Sequence, residues 1–369
     1  MKKLLFVIGS LQVGGAETVM IDLINNIYKN FDITVLLIEK KGELLDLINP
    51  KVKIKYLTKD KSFCKNKIEF LYNKIKLSLI YRYLGFQKWY VKKIYKKTLN
   101  EKYDKEIAYL AGIPSEIVSR SPNKESIKIS WIHADISQID EKGYLRYLNI
   151  CNSYNHIVCV SQASLDAFEK IYPEANAKTR VLYNYIDVNK IIDKSSLEKI
   201  SFNNEKINII SVGRLSEEKA FDRIINVAKK YEDKIEFNII GDGPLKEELN
   251  KQIITDNINN VKLLGLKKNP YPYIKAADVF LLSSRTEAYP TVLIEALVLN
   301  KSIIASLVSG VEEILGDYEN KIIFPNEDSA IEFAIDEWLK NKPKNNKNEC
   351  NWIKTNKINL EKIKKLLEE

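Results

Sequence analysis

Short apolar segments alternate with longer amphipathic stretches along this chain, and the alternation runs twice. Apolar segments of about four to eight residues are typical of buried strands, and apolar residues three and four positions apart are typical of helices. Strands that alternate with helices favour a parallel sheet covered on both faces. The first series predicts strands at residues 4–9, 33–38, 52–57, 106–110, 127–133, 157–161 and 181–183, and the second at 207–213, 235–241, 261–264, 279–283, 303–305 and 322–324.

A polar stretch at residues 187–205 separates the two series and is predicted to be a linker. The 369 residues are enough for two domains of ordinary size. We therefore predict an α/β architecture of two doubly wound domains, residues 1–187 and 188–345, followed by a tail or crossing helix at 346–369. Ligands of such sheets bind beyond the carboxyl ends of the strands, so the expected site is a cleft between two facing domains.

The chain is basic, with a net charge of +9 and a pI of about 9.0. A basic protein has three usual partners: nucleic acid, an anionic membrane surface, or a phosphorylated small molecule. Its four cysteines form no C-x-x-C pair and its two histidines are far apart, so neither a zinc site nor a disulfide framework is predicted. A reducing cytosol is the expected compartment.

The N-terminus begins like a signal peptide, with Lys2 and Lys3 before an apolar run. That run stops at Gly9, and no small-residue cleavage site follows, so a first buried strand is the favoured interpretation. No apolar stretch approaches the ~20 residues of a membrane-spanning helix. We expect a soluble or peripheral protein.

Residues 61–105 stand apart, because basic side chains there outnumber acidic ones by about four to one and alternate with aromatic residues. Apolar residues rimmed by lysines are typical of a helix that lies on an anionic membrane. The same mixture suits single-stranded nucleic acid. A third interpretation is a solvated helix whose aromatic residues belong to the core.

A glycine-rich loop at residues 9–17 connects the first strand to the first helix and contains Gly14 and Gly15. Glycines allow close approach of a ligand, and helix N-termini attract anions. The loop does not have the G-x-G-x-x-G pattern, so a nicotinamide cofactor is not indicated. A tight strand-to-helix turn explains the loop equally well.

Gly213, Arg214 and Lys219 follow the first strand of the second series, on the loop that enters the next helix. Two cations at this end of a sheet can hold a diphosphate through charge-assisted hydrogen bonds. They can also stabilise the charge that develops on a leaving phosphate. Two solvated side chains are the alternative.

Two glutamates, Glu287 and Glu295, follow another strand of the second series, with seven residues between them. Glu295 falls in an apolar helical stretch, where a carboxylate requires a donor such as a ribose hydroxyl. Glu287 precedes the helix and can reach a donor sugar. The amides of Thr291 and Val292 open that helix and face the same cleft. A capping glutamate and a helix salt bridge are the alternative.

This spacing of glutamates resembles the signature of the family 4 retaining glycosyltransferases. The resemblance extends from about residue 3 to about residue 340, and the ordered set of motifs is much more specific than any one of them. Further stretches match in the family's order: W-I-H-A-D at 131–135, V-S at 160–161, N-x-x-D at 184–187, G-R-L at 213–215 with E-K at 218–219, and G-D-G-P-L at 241–245.

The resemblance implies a GT-B fold, in which two Rossmann-like domains face each other across a cleft, with the acceptor side in the first domain. It implies that Arg214 and Lys219 bind the donor diphosphate and that Glu295 holds the ribose. Glu287 would hold the transferred sugar, and His133 would lie by its C6 side or the reacting bond. The glycine pair in the first loop would approach phosphate and acceptor.

The chemistry implied by the family is transfer with retention, through an oxocarbenium-like state and attack from the face of the departing diphosphate. It requires neither a metal nor a cofactor. The sequence departs from the family at Ala220 and Ala288, which stand where glycines are usual. We expect negative φ at both, so that alanine is tolerated.

The resulting hypothesis is a hexosyltransferase of cell-surface polysaccharide biosynthesis, such as capsule or lipopolysaccharide. It would move a hexose or N-acetylhexosamine, from a UDP-sugar by default, to a lipid-linked or growing glycan. Residues 61–105 would place it on the cytoplasmic face of the plasma membrane, without binding nucleic acid. The alternatives are a catalytically silent GT-B subunit, an RNA-binding protein, and a soluble transferase acting on a small molecule or a protein side chain.

Overall fold

The computed structural model describes residues 1–83, 88–133, 141–341 and 351–369. It divides into two compact units: residues 1–186 with 356–369, and residues 187–355. Parts of three predicted segments lie outside the described residues, namely 84–87 of the basic segment, 134–135 of the histidine motif and 346–350 of the C-terminal segment.

The first unit is built on a parallel sheet, which has seven strands among the described residues in the order β3-β2-β1-β4-β5-β6-β7. The strands are β1 (Lys3–Ile8), β2 (Asp32–Lys40), β3 (Lys53–Lys59), β4 (Lys105–Ala108), β5 (Ile127–Ile132), β6 (His156–Cys159) and β7 (Thr179–Val181). The helices are α1 (Gly15–Ile27), α2 (Lys67–Tyr83), α3 (Lys88–Ile94), α4 (Ile113–Ser119), α5 (Glu141–Cys151) and α6 (Gln162–Ile171).

The second unit has the same design, with six parallel strands in its described part, in the order β10-β9-β8-β11-β12-β13. The strands are β8 (Ile207–Val212), β9 (Ile235–Ile240), β10 (Val261–Gly265), β11 (Val279–Leu282), β12 (Ser302–Ser306) and β13 (Lys321–Phe324). The helices are α7 (Val188–Ser195), α8 (Phe221–Ala228), α9 (Lys246–Thr255), α10 (Tyr271–Ala276), α11 (Thr291–Val298), α12 (Val311–Leu315) and α13 (Ala330–Asn341), and α14 (Asn351–Glu368) follows.

The central strands are buried on both faces, which explains their continuous apolar sequences. All six residues of β9 are buried, and Leu4 to Ile8 of β1 are fully buried. When helices cover both faces of a sheet, a polar side chain on either face of a strand loses its contact with water, which is unfavourable. The predicted α/β class with two doubly wound domains is confirmed, and the predicted strands lie within two residues of those observed.

The strand order gives each sheet a point where the chain reverses its direction of winding. In the first sheet this point lies between β1 and β4, and in the second between β8 and β11. Loops that leave neighbouring strands in opposite directions open a crevice at the carboxyl ends of those strands. Most of the candidate site residues lie on the loops after β1, β5, β8 and β11.

Two parts of the chain are more ordered than the sequence indicates. Part of the predicted linker 187–205 is helix α7, since the Asp187 carboxylate caps its first turn by accepting from the Lys190 amide, and Ile191 is buried. The C-terminal segment is not a separate tail. From residue 356 onward α14 belongs to the first unit, where the Asn356 side chain exchanges two hydrogen bonds with the backbone of Ile186.

No helix in the described ranges has the length and apolar character needed to cross a membrane.

Candidate nucleotide-sugar site

Two loops of the second unit lie side by side because β8 and β11 are neighbours in its sheet. The Ser283 hydroxyl donates to the carbonyl oxygen of Lys219 over 2.8 Å. The Arg285 amide donates to the carbonyl oxygen of Glu218 over 2.7 Å. These contacts fix residues 216–219, which follow β8, against residues 283–287, which follow β11.

Lys219 and Glu287, both predicted as catalytic residues, form an ion pair across these two loops. The Lys219 Nζ lies 2.5 Å from the Glu287 Oε1, and the Ser284 hydroxyl donates to the same oxygen over 2.8 Å. The ion pair holds the ammonium in a fixed place. Because both side chains are partly exposed, the ammonium remains accessible to a ligand. A carboxylate oxygen that accepts from two donors is held in a fixed orientation.

Arg214 supplies a second cation on the loop after β8, and its side chain is exposed. The G-D-G-P-L turn at residues 241–245 packs closely against the backbone of this loop. A Cβ at Gly241 would lie 1.8 Å from the carbonyl oxygen of Gly213, and one at Gly243 would lie 2.4 Å from that of Leu215. Only glycine allows the two loops to approach so closely, which gives the motif a physical cause.

Two arginines that the sequence analysis did not single out brace the same region. Arg223 is buried on α8 and donates to the Ser283 carbonyl and to the Asn326 side chain, over 3.1 and 2.8 Å. Arg285 donates to both carboxylate oxygens of Asp222, over 2.9 and 2.6 Å. The sequence does place Arg223 on the apolar face of α8. Because a buried guanidinium requires several acceptors, this position could have indicated a structural role for Arg223.

The remaining donor-site candidates of this unit lie on α11. Thr291 and Val292 are its first two residues and are half-buried, as is Glu295 one turn further on. Leucine, isoleucine and alanine neighbours of Glu295 are buried. Pro290 stands immediately before the helix, so α11 begins directly after the loop that follows β11.

His133 belongs to the first unit and follows β5, at the carboxyl end of the sheet. Its ring centroid lies 4.6 Å from that of Tyr109 and 6.4 Å from that of Trp131. Within the part of the chain that the structure describes, His133 Nε2, the Tyr109 hydroxyl and Trp131 Nε1 are buried without a hydrogen-bond partner. Burial lowers the pKa of His133 to about 3, so the imidazole is neutral at physiological pH.

Gly14 and Gly15 also lie in the first unit, at the start of α1. A Cβ at Gly14 would lie 2.3 Å from the Glu17 Oε2, so the glycine leaves room for a carboxylate that folds back on the helix start. An acidic group in the first turn of a helix is electrostatically favourable. In this structure the group beside Gly14 is thus the carboxylate of Glu17, and the predicted approach of a phosphate to Gly14 and Gly15 stays a prediction.

The expected negative φ at Ala220 is wrong. Ala220 has φ +52° and ψ +44°, in the left-handed region, at the residue between Lys219 and α8. The geometry that usually requires glycine at this position is kept, although the glycine itself is replaced. The sequence alone could not reveal this, because the conformation is imposed by the contacts that hold residues 216–219.

Two cations, an ion-paired carboxylate and a helix N-terminus therefore meet at the carboxyl ends of neighbouring parallel strands in the second unit. This arrangement defines a domain suited to a phosphorylated ligand, within a fold of two doubly wound units. The family model described as "Glycosyl transferases group 1" matches residues 193–357. The match falls almost entirely within the second unit and confirms the resemblance drawn from the motifs.

Curated relatives carry similar names. An uncharacterized glycosyltransferase of Methanocaldococcus jannaschii is 31% identical over 193 residues, which are 50% of this chain and 46% of that protein. The chain spans less than half the length of the first curated relatives it matches. A longer match, 25% identical over 331 residues, covers 88% of this chain and 84% of a Campylobacter jejuni protein. That protein is named "GalNAc-alpha-(1->4)-GalNAc-alpha-(1->3)-diNAcBac-PP-undecaprenol alpha-1,4-N-acetyl-D-galactosaminyltransferase".

The fold is also that of solved glycosyltransferase structures. The Anabaena protein HepE, crystallised in complex with UDP and glucose, superposes with a TM-score of 0.71 at 19% identity. The match covers 93% of this chain and 91% of that one. The two-domain GT-B fold expected from the motifs is therefore confirmed.

We predict that Ala220→Gly costs less stability than Ala228→Gly by about 1–2 kcal/mol, since only the first substitution relieves a left-handed alanine. Both alanines are fully buried, and Ala228 has helical φ −58°. Urea unfolding of the two variants measures the difference. Equal losses would show that Ala220 is not strained.

The lowered pKa of His133, whose Nε2 is buried, makes stability depend on pH. Between its ordinary value of 6.5 and its folded value of about 3, the unfolded chain binds a proton that the folded protein does not. The free energy of unfolding is therefore fully retained above pH 6.5 and falls as the pH is lowered. From pH 7 to pH 5 the native protein should lose about 2 kcal/mol more than His133→Gln. Urea unfolding at both pH values tests this, and an identical loss in the variant would contradict it.

Proposed function

We propose that this chain transfers a hexose or N-acetylhexosamine, with retention and without a metal, from a UDP-sugar to a lipid-linked or growing glycan. The observation that carries the proposal is the fixed ion pair of Lys219 with Glu287, at the point where the second sheet reverses its winding. The family of residues 193–357 supports the reaction class. The UDP and glucose named in the HepE complex support the donor.

In the proposed site, Arg214 and Lys219 bind the diphosphate and stabilise the charge that develops as it leaves. Glu295 accepts from the ribose hydroxyls, and Glu287 orients both Lys219 and the transferred sugar. The Thr291 and Val292 amides add donors at the helix start. Neutral His133 interacts with the sugar hydroxyls, since an imidazole with a pKa near 3 is a poor source of positive charge.

The reaction balances with groups that the substrates supply. The bond between the anomeric carbon and the diphosphate oxygen breaks, and the bond from that carbon to the acceptor oxygen forms on the same face. The acceptor hydroxyl proton passes to an oxygen of the departing UDP. The positive side chains lower the barrier because they interact with the diphosphate most strongly when its charge is largest.

The proposed acceptor follows from the Campylobacter relative, whose name specifies an undecaprenol-linked saccharide. Transfer to such an acceptor places the enzyme at the cytoplasmic face of a membrane. The basic residues between 61 and 105 are the proposed contact with anionic lipid. The product would extend a cell-surface glycan of the capsule or lipopolysaccharide type.

A thermal-shift screen against nucleoside diphosphates and their sugars, without metal, identifies the donor, because a ligand that binds the folded state raises the melting temperature. We predict a shift with a UDP-sugar that Lys219→Ala abolishes. The variant should lose about 100- to 1000-fold in turnover, since removing one such donor typically costs ~3–4 kcal/mol.

Lys230→Ala is the matched control, because Lys230 also pairs with carboxylates of the same unit, Glu332 and Asp336, outside the two loops. It should retain both shift and turnover. Unchanged turnover in Lys219→Ala would remove the assigned role of Lys219. A protein that no nucleotide sugar stabilises would overturn the proposed donor.

A further inference from the structure

Helix α2 of the first unit presents an apolar stripe to solvent. Five side chains at helical spacing form this stripe, and each is between 48% and 81% exposed. They are Ile68, Leu71, Tyr72, Ile75 and Leu79. Contiguous exposed apolar surface on one helix face is typical of an interaction site and is rare on a free solvated face.

The inner face of the same helix carries polar side chains beside the apolar Leu77 and Ile80, which pack against the core. Asn73 is buried, accepts from the Lys59 amide over 3.0 Å and donates to the Glu69 carbonyl. Lys76 donates to the Leu57 carbonyl over 2.5 Å. The helix is thus attached both through hydrogen bonds and through Leu77 and Ile80, while the five residues of the stripe remain exposed.

Lysines surround the stripe. Lys65, Lys67 and Lys74 are exposed on or beside α2, whereas the acidic residue of this helix, Glu69, is paired with Lys59. On α3, Trp89 is 59% exposed, and all its lysines are exposed as well. An apolar face with a lysine rim and an exposed tryptophan matches the surface of an anionic bilayer. Apolar side chains contact the lipid tails, lysines bind the headgroups, and tryptophan prefers the boundary between the two.

Other occupants fit the surface less well. A second copy packed face to face would bring the lysine rims together, and like charges in contact are unfavourable. Nucleic acid would use the lysines, but base stacking needs aromatic surfaces, and four of the five stripe residues are aliphatic. We propose that the stripe of α2 inserts into the surface of an anionic membrane, with the surrounding lysines bound to lipid headgroups.

This docking gives the proposed reaction its access to substrate. An acceptor on a lipid carrier stays in the plane of the membrane, so an enzyme held on that surface meets it at high local concentration. That consequence rests on the proposed function. The docking itself depends only on α2 and its lysines, so the two can fail separately.

The test is flotation of the full chain with vesicles of phosphatidylglycerol and phosphatidylcholine, compared with phosphatidylcholine alone. The protein should float with the anionic vesicles at low salt and be released at high salt. The double variant Leu71→Ser/Ile75→Ser should lower the partition coefficient by about 10- to 100-fold. Ile254→Ser/Phe333→Ser is the matched control, since both side chains are 75% exposed on helices of the second unit, and it should float like the native protein.

Several outcomes overturn the inference. Absence of flotation at low salt would do so, as would equal loss in the control pair. A concentration-dependent dimer that the α2 variant abolishes, without vesicle binding, would assign the stripe to a second copy. Binding of a UDP-sugar should be unchanged in the α2 variant, so a protein that floats but binds no nucleotide sugar would refute the proposed function and leave the docking intact.

Discussion

The contact between the loops after β8 and β11 is the constraint on which the proposed site depends. The Ser283 hydroxyl and the Arg285 amide fasten one loop to the carbonyls of Lys219 and Glu218. Buried Arg223 donates a hydrogen bond to the carbonyl oxygen of Ser283. Lys219 is thereby fixed before any ligand arrives, and a preorganised cation stabilises developing charge without having to reorganise. The left-handed Ala220 is a local cost of this arrangement.

The sequence was most informative where structure is decided locally. Apolar runs such as 235–240 located the strands, since strands buried on both faces leave a continuous signal. The motifs identified Lys219, Glu287 and Glu295 because their spacing follows the strand-loop-helix design. The partners of Arg223 could not be read in this way, because they lie on loops more than fifty residues away along the chain. The conformation of Ala220 and the orientation of α2 are likewise set by tertiary contacts.

The two units place different kinds of chemistry at the same ends of their sheets. The second has exposed or ion-paired charge, from Arg214, Lys219 and Glu287. The first has aromatic rings with buried polar atoms, at Tyr109, Trp131 and His133. Charged groups suit a diphosphate, and neutral donors beside aromatic rings suit the hydroxyls and apolar faces of a sugar. This division is consistent with a nucleotide-sugar substrate.

In the proposed site, the loop after β8 recognises the second phosphate of the nucleotide. Isothermal titration of UDP and of UMP into the native protein and into Arg214→Ala tests it most directly. We predict that UDP binds the native protein at least about tenfold more tightly than UMP, as expected for charge-assisted hydrogen bonds to one more phosphate. We also predict that Arg214→Ala removes most of this preference. Equal affinities for UDP and UMP in the native protein would contradict the claim.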